Sequence, residues 1–419
     1  MHKSSSTHPA SQGARGRIQH TLRRCLLLAA LVCGIARADA TDDLDTSRFS
    51  FRGFGTLGVA RSSSNDDRPL RDIAQPKGIS NTWSARNDSV FGLQASYRFN
   101  DSLEAVVQGA TFKRDDASYE PELSWAFLKY DVTPRLALRF GRVGAEFLMQ
   151  ADSRRVGYSY LPVRPAVDFY GIIPFGSADG MDAVLRWPLG EGTLSLEALA
   201  GQASGNIPAY DLDGSRLLRG TLGYDWGHWQ VRYIYAQGKL SENIPSVEPL
   251  RNTLTMLGAT SAADALAFKD ATARYHSLGM TYDDGRWQVQ AAVSRITHES
   301  AMMENLRAGT VLVARRFGDI TPFAGYTWTK SSGKTLDSGL PNPMFAPVND
   351  ALAQALVSSR VHRQTRTLGV RWDFARNMDI KAQIDFIHGG KSSTLLFEDR
   401  ASRGDGKTKV FSLSFDFVF

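Results

Sequence analysis

The chain has 419 residues, with 49 Lys and Arg against 43 Asp and Glu, a formal net charge of +6. That length exceeds one ordinary soluble domain and suits one large barrel. The charge excess is local: residues 1–40 hold six basic residues and one acid, so the remainder carries 43 against 42, without the basic footprint of a nucleic-acid binder.

The first forty residues differ from the rest. His2 to Arg24 is polar and basic, with Lys3, Arg15, Arg17, Arg23 and Arg24 and no acid, and Cys25 to Ile35 is a short apolar run. Ala36-Arg37-Ala38 and Ala38-Asp39-Ala40 then offer two overlapping small-x-small cleavage sites. This order predicts a secretory signal peptide over 1–40, because the apolar run is too short to cross a bilayer as a helix. Both cysteines, Cys25 and Cys33, fall inside it, so residues 41–419 have no disulfide framework and no thiolate ligand or nucleophile. No later apolar stretch approaches the length of a membrane-spanning helix. A membrane crossing in this chain therefore uses strands.

Strand periodicity follows along the chain. Phe51 to Ala60 (FRGFGTLGVA) opens the strand region, and about sixteen strands are expected. Their starts lie near residues 49, 89, 103, 122, 136, 181, 193, 217, 229, 273, 286, 308, 320, 364, 379 and 408. The clearest are the last three. Leu368, Val370, Trp372 and Phe374 alternate with Thr367, Gly369, Arg371 and Asp373. Ile380, Ala382, Ile384 and Phe386 alternate with Lys381, Gln383 and Asp385. Phe411, Leu413, Phe415, Phe417 and Phe419 alternate with Ser412, Ser414 and Asp416. Successive strand residues face opposite sides, so each segment has one apolar and one polar face. The strands near 122–132 and 308–317 have ambiguous facing, since Trp125 and Phe127 compete with Leu128 and Tyr130.

A soluble sandwich would give the same alternation. The connections separate the two architectures. Short turns such as Asn100-Asp101-Ser102, Trp226-Gly227-His228 and Gly318-Asp319 alternate with long loops near 62–88, 113–121, 143–180, 202–216, 240–272, 297–307, 331–363 and 388–407. Sixteen antiparallel strands with both ends on the short-turn side give this pattern. Aromatics including Tyr97, Phe99, Tyr130, Trp187, Trp229, Trp287, Phe323 and Trp372 cluster beside the short turns, as an interfacial girdle would. The fifth and seventh loops are expected to carry short helices, the fifth through Leu254, Leu257, Ala262 and Leu266 and the seventh within Val348 to Val361.

With its opening strand, its LALRFGRV stretch (Leu136 to Val143) leading into a long third loop, and its terminal aromatic strand ending on Phe419, the chain resembles the sixteen-stranded porins of Gram-negative bacteria. The resemblance covers residues 41–419 and is architectural. It implies passive diffusion of small polar solutes and ions through a water-filled channel in the outer membrane. It also implies a homotrimer, outer-membrane lipid and lipopolysaccharide as surroundings, no cofactor or nucleic acid, and Phe419 as the signal read by the barrel-assembly machinery. Substrate-selective channels for small anions such as carboxylates fit the same outline.

Loop 3, about residues 143–180, is the segment singled out. With its entry from Gly141, the stretch to Gly180 holds Arg142, Arg154, Arg155 and Arg164 beside Glu146, Asp152, Asp168 and Asp179, and its prolines and aromatics favour a packed loop. Charges opposed across a narrow water path set ion preference, so these residues, with Arg98 and Arg139 on the wall, are the expected pore lining, and an extracellular lid is the alternative. Arg52, Arg98, Arg139, Arg186, Arg232, Arg371 and Lys381 alternate with apolar residues and are expected to face the lumen, because Arg or Lys in mid-membrane lipid costs about 2–4 kcal/mol. Catalysis finds little footing. His298-Glu299-Ser300 invites a lipase-like reading, but neighbours on a strand point to opposite faces and cannot converge.

Overall fold

The computed structural model describes residues 48–113, 118–145, 153–173, 176–204, 206–207, 210–390, 393, 395–398 and 404–419. The expected signal peptide, Glu146 and Asp152 lie outside the described residues. Period-two alternation becomes strand almost wherever it occurs. The strands are β1 (Phe49–Ser62), β2 (Val90–Arg98), β3 (Leu103–Phe112), β4 (Glu122–Thr133), β5 (Leu136–Gly144), β6 (Ser177–Leu189) and β7 (Gly192–Ser204). A two-residue pair, β8 (Asn206–Ile207) and β9 (Tyr210–Asp211), follows in loop 4. Then come β10 (Arg216–Trp226), β11 (Trp229–Lys239), β12 (Thr272–Asp283), β13 (Trp287–His298), β14 (Asn305–Arg315), β15 (Ile320–Ser332), β16 (His362–Ala375), β17 (Met378–Gly389) and β18 (Lys407–Val418).

Apart from β8 and β9, every strand pairs with its sequence neighbours, and β1 also pairs with β18, closing a sixteen-stranded antiparallel barrel. At the seam Phe54 lies opposite Val418 and Ser62 opposite Val410. Beyond the last strand residue, Gly53 and Phe419 exchange backbone hydrogen bonds of 2.9 and 3.0 Å, so the terminal residue is zipped into the closure. Closure leaves no open edge, which a sheet in lipid requires. The tight end is built from short hairpins: Trp226 pairs directly with Trp229 across Gly227-His228, and the positive φ of Gly227 (51°) supplies the backbone such a two-residue turn needs.

The two faces differ as the alternation requires. Leu57, Val107, Leu128, Phe140, Met181, Leu196, Leu218, Leu278, Val293, Leu368 and Leu413 point outward, with Leu218 55% exposed. An apolar belt of this extent would be a gross liability in water and is the surface that lipid covers. No helix among the described residues is long and apolar enough to cross a membrane. Inward, Thr56, Asp182, Arg219, Thr327, Lys381, Asp385, Ser412 and Asp416 are buried. The ambiguous fourth strand resolves here: Leu128 and Tyr130 are exposed outside, while Phe127 packs against the apolar cluster inside the barrel. A bulge between Gln108 and Gly109 leaves Ser124 unmatched on the neighbouring strand.

Phe323 departs from the expected girdle. It is only 4% exposed and turns inward, beside Leu161 and Ala314. Gly369, opposite it on β16, leaves the space its ring fills. Tyr97, Phe99, Tyr130, Trp187, Trp229, Trp287 and Trp372 do lie exposed on the outer face. Loop helices form at Glu248–Met256 and Thr260–Ala265 in loop 5 and Ala346–Leu356 in loop 7, where helical spacing was read.

Candidate functional site

Loop 3 runs between β5 and β6 and enters the barrel. Its described part, 153–173, meets side chains that the alternation places on the inner wall. Lys381 of β17 donates to the Gly157 carbonyl at 2.6 Å, and Arg371 of β16 to the Tyr158 carbonyl at 2.7 Å. Val163 N–H donates to Gln383 at 2.8 Å. Gly157 is required by this approach: a Cβ there would overlap the Asp416 carboxylate and the Thr56 hydroxyl. Thr56 and Asp416 are themselves hydrogen-bonded across the β1–β18 seam at 2.5 Å. The loop thus covers the closure of the barrel from inside.

Three ion pairs fix it further along. Arg164, 4% exposed, pairs with Asp88 of loop 1 at 2.7 Å and with Asp385 of β17 at 3.0 Å, and donates to Ser412 at 2.6 Å. Asp168, fully buried in the short helix Val167–Tyr170, pairs with Arg363 of β16 at 2.7 Å. Burial alone would raise the Asp88 carboxyl, but the Arg164 guanidinium, through charge and hydrogen bonds, holds it below its ordinary value. At Asp168 burial prevails over Arg363, and the carboxyl lies above its ordinary value. Burial also pushes the Tyr170 phenol up to about 12. Removing one partner of such a buried pair costs about 3–5 kcal/mol, because the other charge is left stranded.

The loop's other side is apolar. Phe169, Ile172 and Ile173 join Val143, Ala178, Leu199, Leu217, Ile234, Ala236 and Tyr275 in one cluster drawn from the facing wall. Loop 3 therefore bridges the lumen, polar toward β16, β17, β18 and β1 and apolar toward the strands from β5 to β12. Above it lies a vestibule of about 630 Å³ roofed by the long loops and lined by Ile73, Leu240, Ile244, Leu250, Met302 and Leu395. Loop 1 ties into this plug, Ile73 N–H bonding the Gly171 carbonyl and Leu70 N–H the Leu396 carbonyl of loop 8, both at 2.9 Å.

The expected lining residues separate into groups. Arg139 is inward and held by Asp182 at 2.5 Å. Arg155 lies inside, bonded to Glu122 at 3.1 Å and Ser124 at 2.9 Å with Phe112 under its guanidinium. Arg154 donates to the Ile173 carbonyl at 3.3 Å, within the loop. Arg164 and Asp168 sit in the latch just described and do not oppose each other across a water path. Arg98 ends β2 on the inner face, opposite Glu104. Arg142 is the correction. It lies three residues after inward Arg139 and so faces outward, where it grips Asp179 through two bonds of 2.7 Å. Asp88, Asp385, Arg363 and Gly157 carry the latch. Alternation alone had placed Asp385 on the inner face, whereas nothing local distinguishes Asp88 within loop 1.

No arrangement for catalysis assembles at the triplet singled out: Glu299 pairs with Arg274 at 2.9 Å, and the Ser300 hydroxyl accepts from Met302 N–H at 3.2 Å. Among the described residues no group of three His, Cys, Asp or Glu is placed to hold a metal ion.

No protein-family model and no curated protein matches the sequence. Solved structures do match in shape. OmpF of Salmonella typhi, in a complex with daunomycin, superposes with a TM-score of 0.54 at 11% identity, over 90% of this chain and 100% of that one. The fold is that of the outer-membrane porins. An anion-selective porin from Comamonas acidovorans gives 0.52 at 13% identity, over 88% of this chain and 99% of that one. The outer membrane channel DcaP of Acinetobacter baumannii gives 0.52 at 12% identity, over 90% and 100%. At these identities the likeness is one of fold.

Proposed function

We propose that this porin-fold barrel is an outer-membrane channel for passive diffusion of small polar solutes, with loop 3 as its constriction and no catalytic role. The observation that carries the reading is the inward-folded loop 3, tied to a polar wall by Lys381, Arg371, Arg164 and Asp168. A lid would pack on the rim. The residue-level setting of ion preference then shifts from the loop to the wall. Arg154, Arg155 and Arg164 are engaged, whereas Arg52, Arg98, Arg186 and Arg232 face the lumen toward the short-turn end with no ion pair among the described residues. A mild anion preference follows from these charges. Export by the 1–40 leader, assembly through Phe419 and a homotrimeric state complete the proposal.

A second reading has its own support. The vestibule above loop 3 is lined largely by apolar side chains, and the loop crosses to an apolar far wall. A narrow channel selecting solutes with an apolar portion, such as carboxylates of short carbon chains, fits that lining better than a wide general pore. Recording from purified protein in planar bilayers under a salt gradient tests both. Ohmic current with a reversal potential leaning toward anions supports the channel, and small currents blocked by one carboxylate support selectivity. Folded protein giving no current but cleaving esters would contradict it.

A further inference from the structure

The vestibule above loop 3 is walled by loops that hold one another. Loop 6 is the hub: Ala301 N–H donates to the Ala265 carbonyl of loop 5 at 2.8 Å, and Glu304 N–H donates to the Ser359 hydroxyl of loop 7 at 2.8 Å. That hydroxyl donates in turn to the Met302 carbonyl at 3.1 Å. Lys334, also of loop 7, donates to the His298 and Ser300 carbonyls at 2.5 and 2.7 Å. The frame holds open about 630 Å³, a size that buries a small organic molecule. Its charged lining residues are matched within the protein. Glu304, 1% exposed, pairs with Arg360 at 3.0 Å and accepts from Ser331. Glu398 pairs with Lys77 at 3.4 Å and with Arg68 at 3.6 Å. Arg274, the one Arg or Lys of the lining among the described residues, pairs with Glu299 at 2.9 Å. The Lys334 ammonium beside His298 disfavours a positive imidazole there. Water held against Ile172, Leu217, Ile296 and Leu306 lacks partners, and an apolar molecule displaces it at a gain.

We infer that the vestibule is a binding site for a neutral, mostly apolar organic solute of two-ring bulk or more, bearing at most a hydroxyl. This rests on the channel reading for access and narrows the apolar-solute reading. A carboxylate seated here would lose its water with no uncommitted lining cation to replace it, whereas an uncharged ring body loses nothing. Ser246 and Gln354, exposed at the edge of the cavity, offer neutral partners for a hydroxyl. Because the loops are already tied to one another, the site is preformed and binding orders little of the protein. The loop 7 helix, Ala346–Leu356, sets the available room. Ala351 and Ala355, four residues apart on one helix face, line the cavity with methyl groups, while Ala353 is exposed outside it.

The test is equilibrium dialysis of the folded mature protein in detergent, against a micelle blank, with three probes: biphenyl-4-methanol, biphenyl-4-carboxylate and sucrose. Wild type is expected to bind the alcohol saturably above the blank, the carboxylate at least tenfold more weakly, and sucrose not at all. Ala351→Phe with Ala355→Phe fills the cavity and is expected to weaken binding of the alcohol at least tenfold, while Ala353→Phe leaves it unchanged. If the filled variant does not insert, Leu250→Asp against Leu250→Met replaces it, with binding lost in the first and kept in the second. Alcohol binding no greater than the blank overturns the inference. So does equal binding of alcohol and carboxylate, or equal binding by wild type and the filled variant. Conductance of the same preparations keeps the two readings apart: current without alcohol binding removes only this inference, and alcohol binding without current removes only the channel.

Discussion

Asp88 shows how much one side chain carries. It is the loop 1 partner of Arg164, and without it that guanidinium keeps only Asp385 and Ser412 in a buried site. Asp88→Asn is expected to lower stability by about 3–5 kcal/mol, read as a lower urea midpoint or loss of heat-modifiable migration. The pH behaviour follows from the lowered carboxyl. Its stabilisation is fully present above the unfolded value near 4 and fades only as pH falls through the lower folded value. Protease resistance of loop 3 should therefore hold from pH 8 to 5 in wild type and be lost in stronger acid, whereas Asp88→Asn should be susceptible throughout. A second residue pair tests facing. Val370→Arg puts a charge on the lipid side at about 2–4 kcal/mol. Counting lumen residues as replaceable fails at Arg371, which also holds Asp373, Asp379 and two loop 3 carbonyls. Arg371→Val should thus be destabilising too, and Arg98→Val, with no such partners, nearly neutral in refolding midpoints.

Elements were legible in proportion to how local their cause is. Strand and turn positions follow from alternation and turn residues, and fifteen of the sixteen expected starts fall within three residues of the observed ones; β6 begins four earlier, at Ser177. The outward turn of Arg142 was also available, by counting from Arg139. Phe323 was not, because its inward place depends on Gly369, forty-six residues on. The loop 3 latch was half legible: alternation put Lys381, Asp385 and Asp416 inside, but the choice of Asp88 as partner is a contact between two loops that no spacing encodes. At the final strand, the Phe419 ring lies over Gly53 and against Phe417 and Phe51 while its backbone closes the seam. Phe419→Ser should reduce the yield of membrane-inserted, heat-modifiable protein far more than it alters conductance of the fraction that folds. Unchanged yield would show that closure does not depend on this ring.

For the whole molecule, a closed barrel, an outer apolar belt and an inward loop form one mechanical unit, because the loop's ion pairs reach strands on both sides of the seam. Its central claim is that loop 3, held by Arg164 and Lys381, limits the path through the lumen. Single-channel recording of wild type against Arg164→Ala with Lys381→Met addresses it most directly. Wild type should give small, steady openings; in the variant, freed of the anchors that Arg164 and Lys381 supply, conductance should rise and fluctuate with little change in reversal potential. Identical conductance in wild type and a correctly inserted variant would contradict the account.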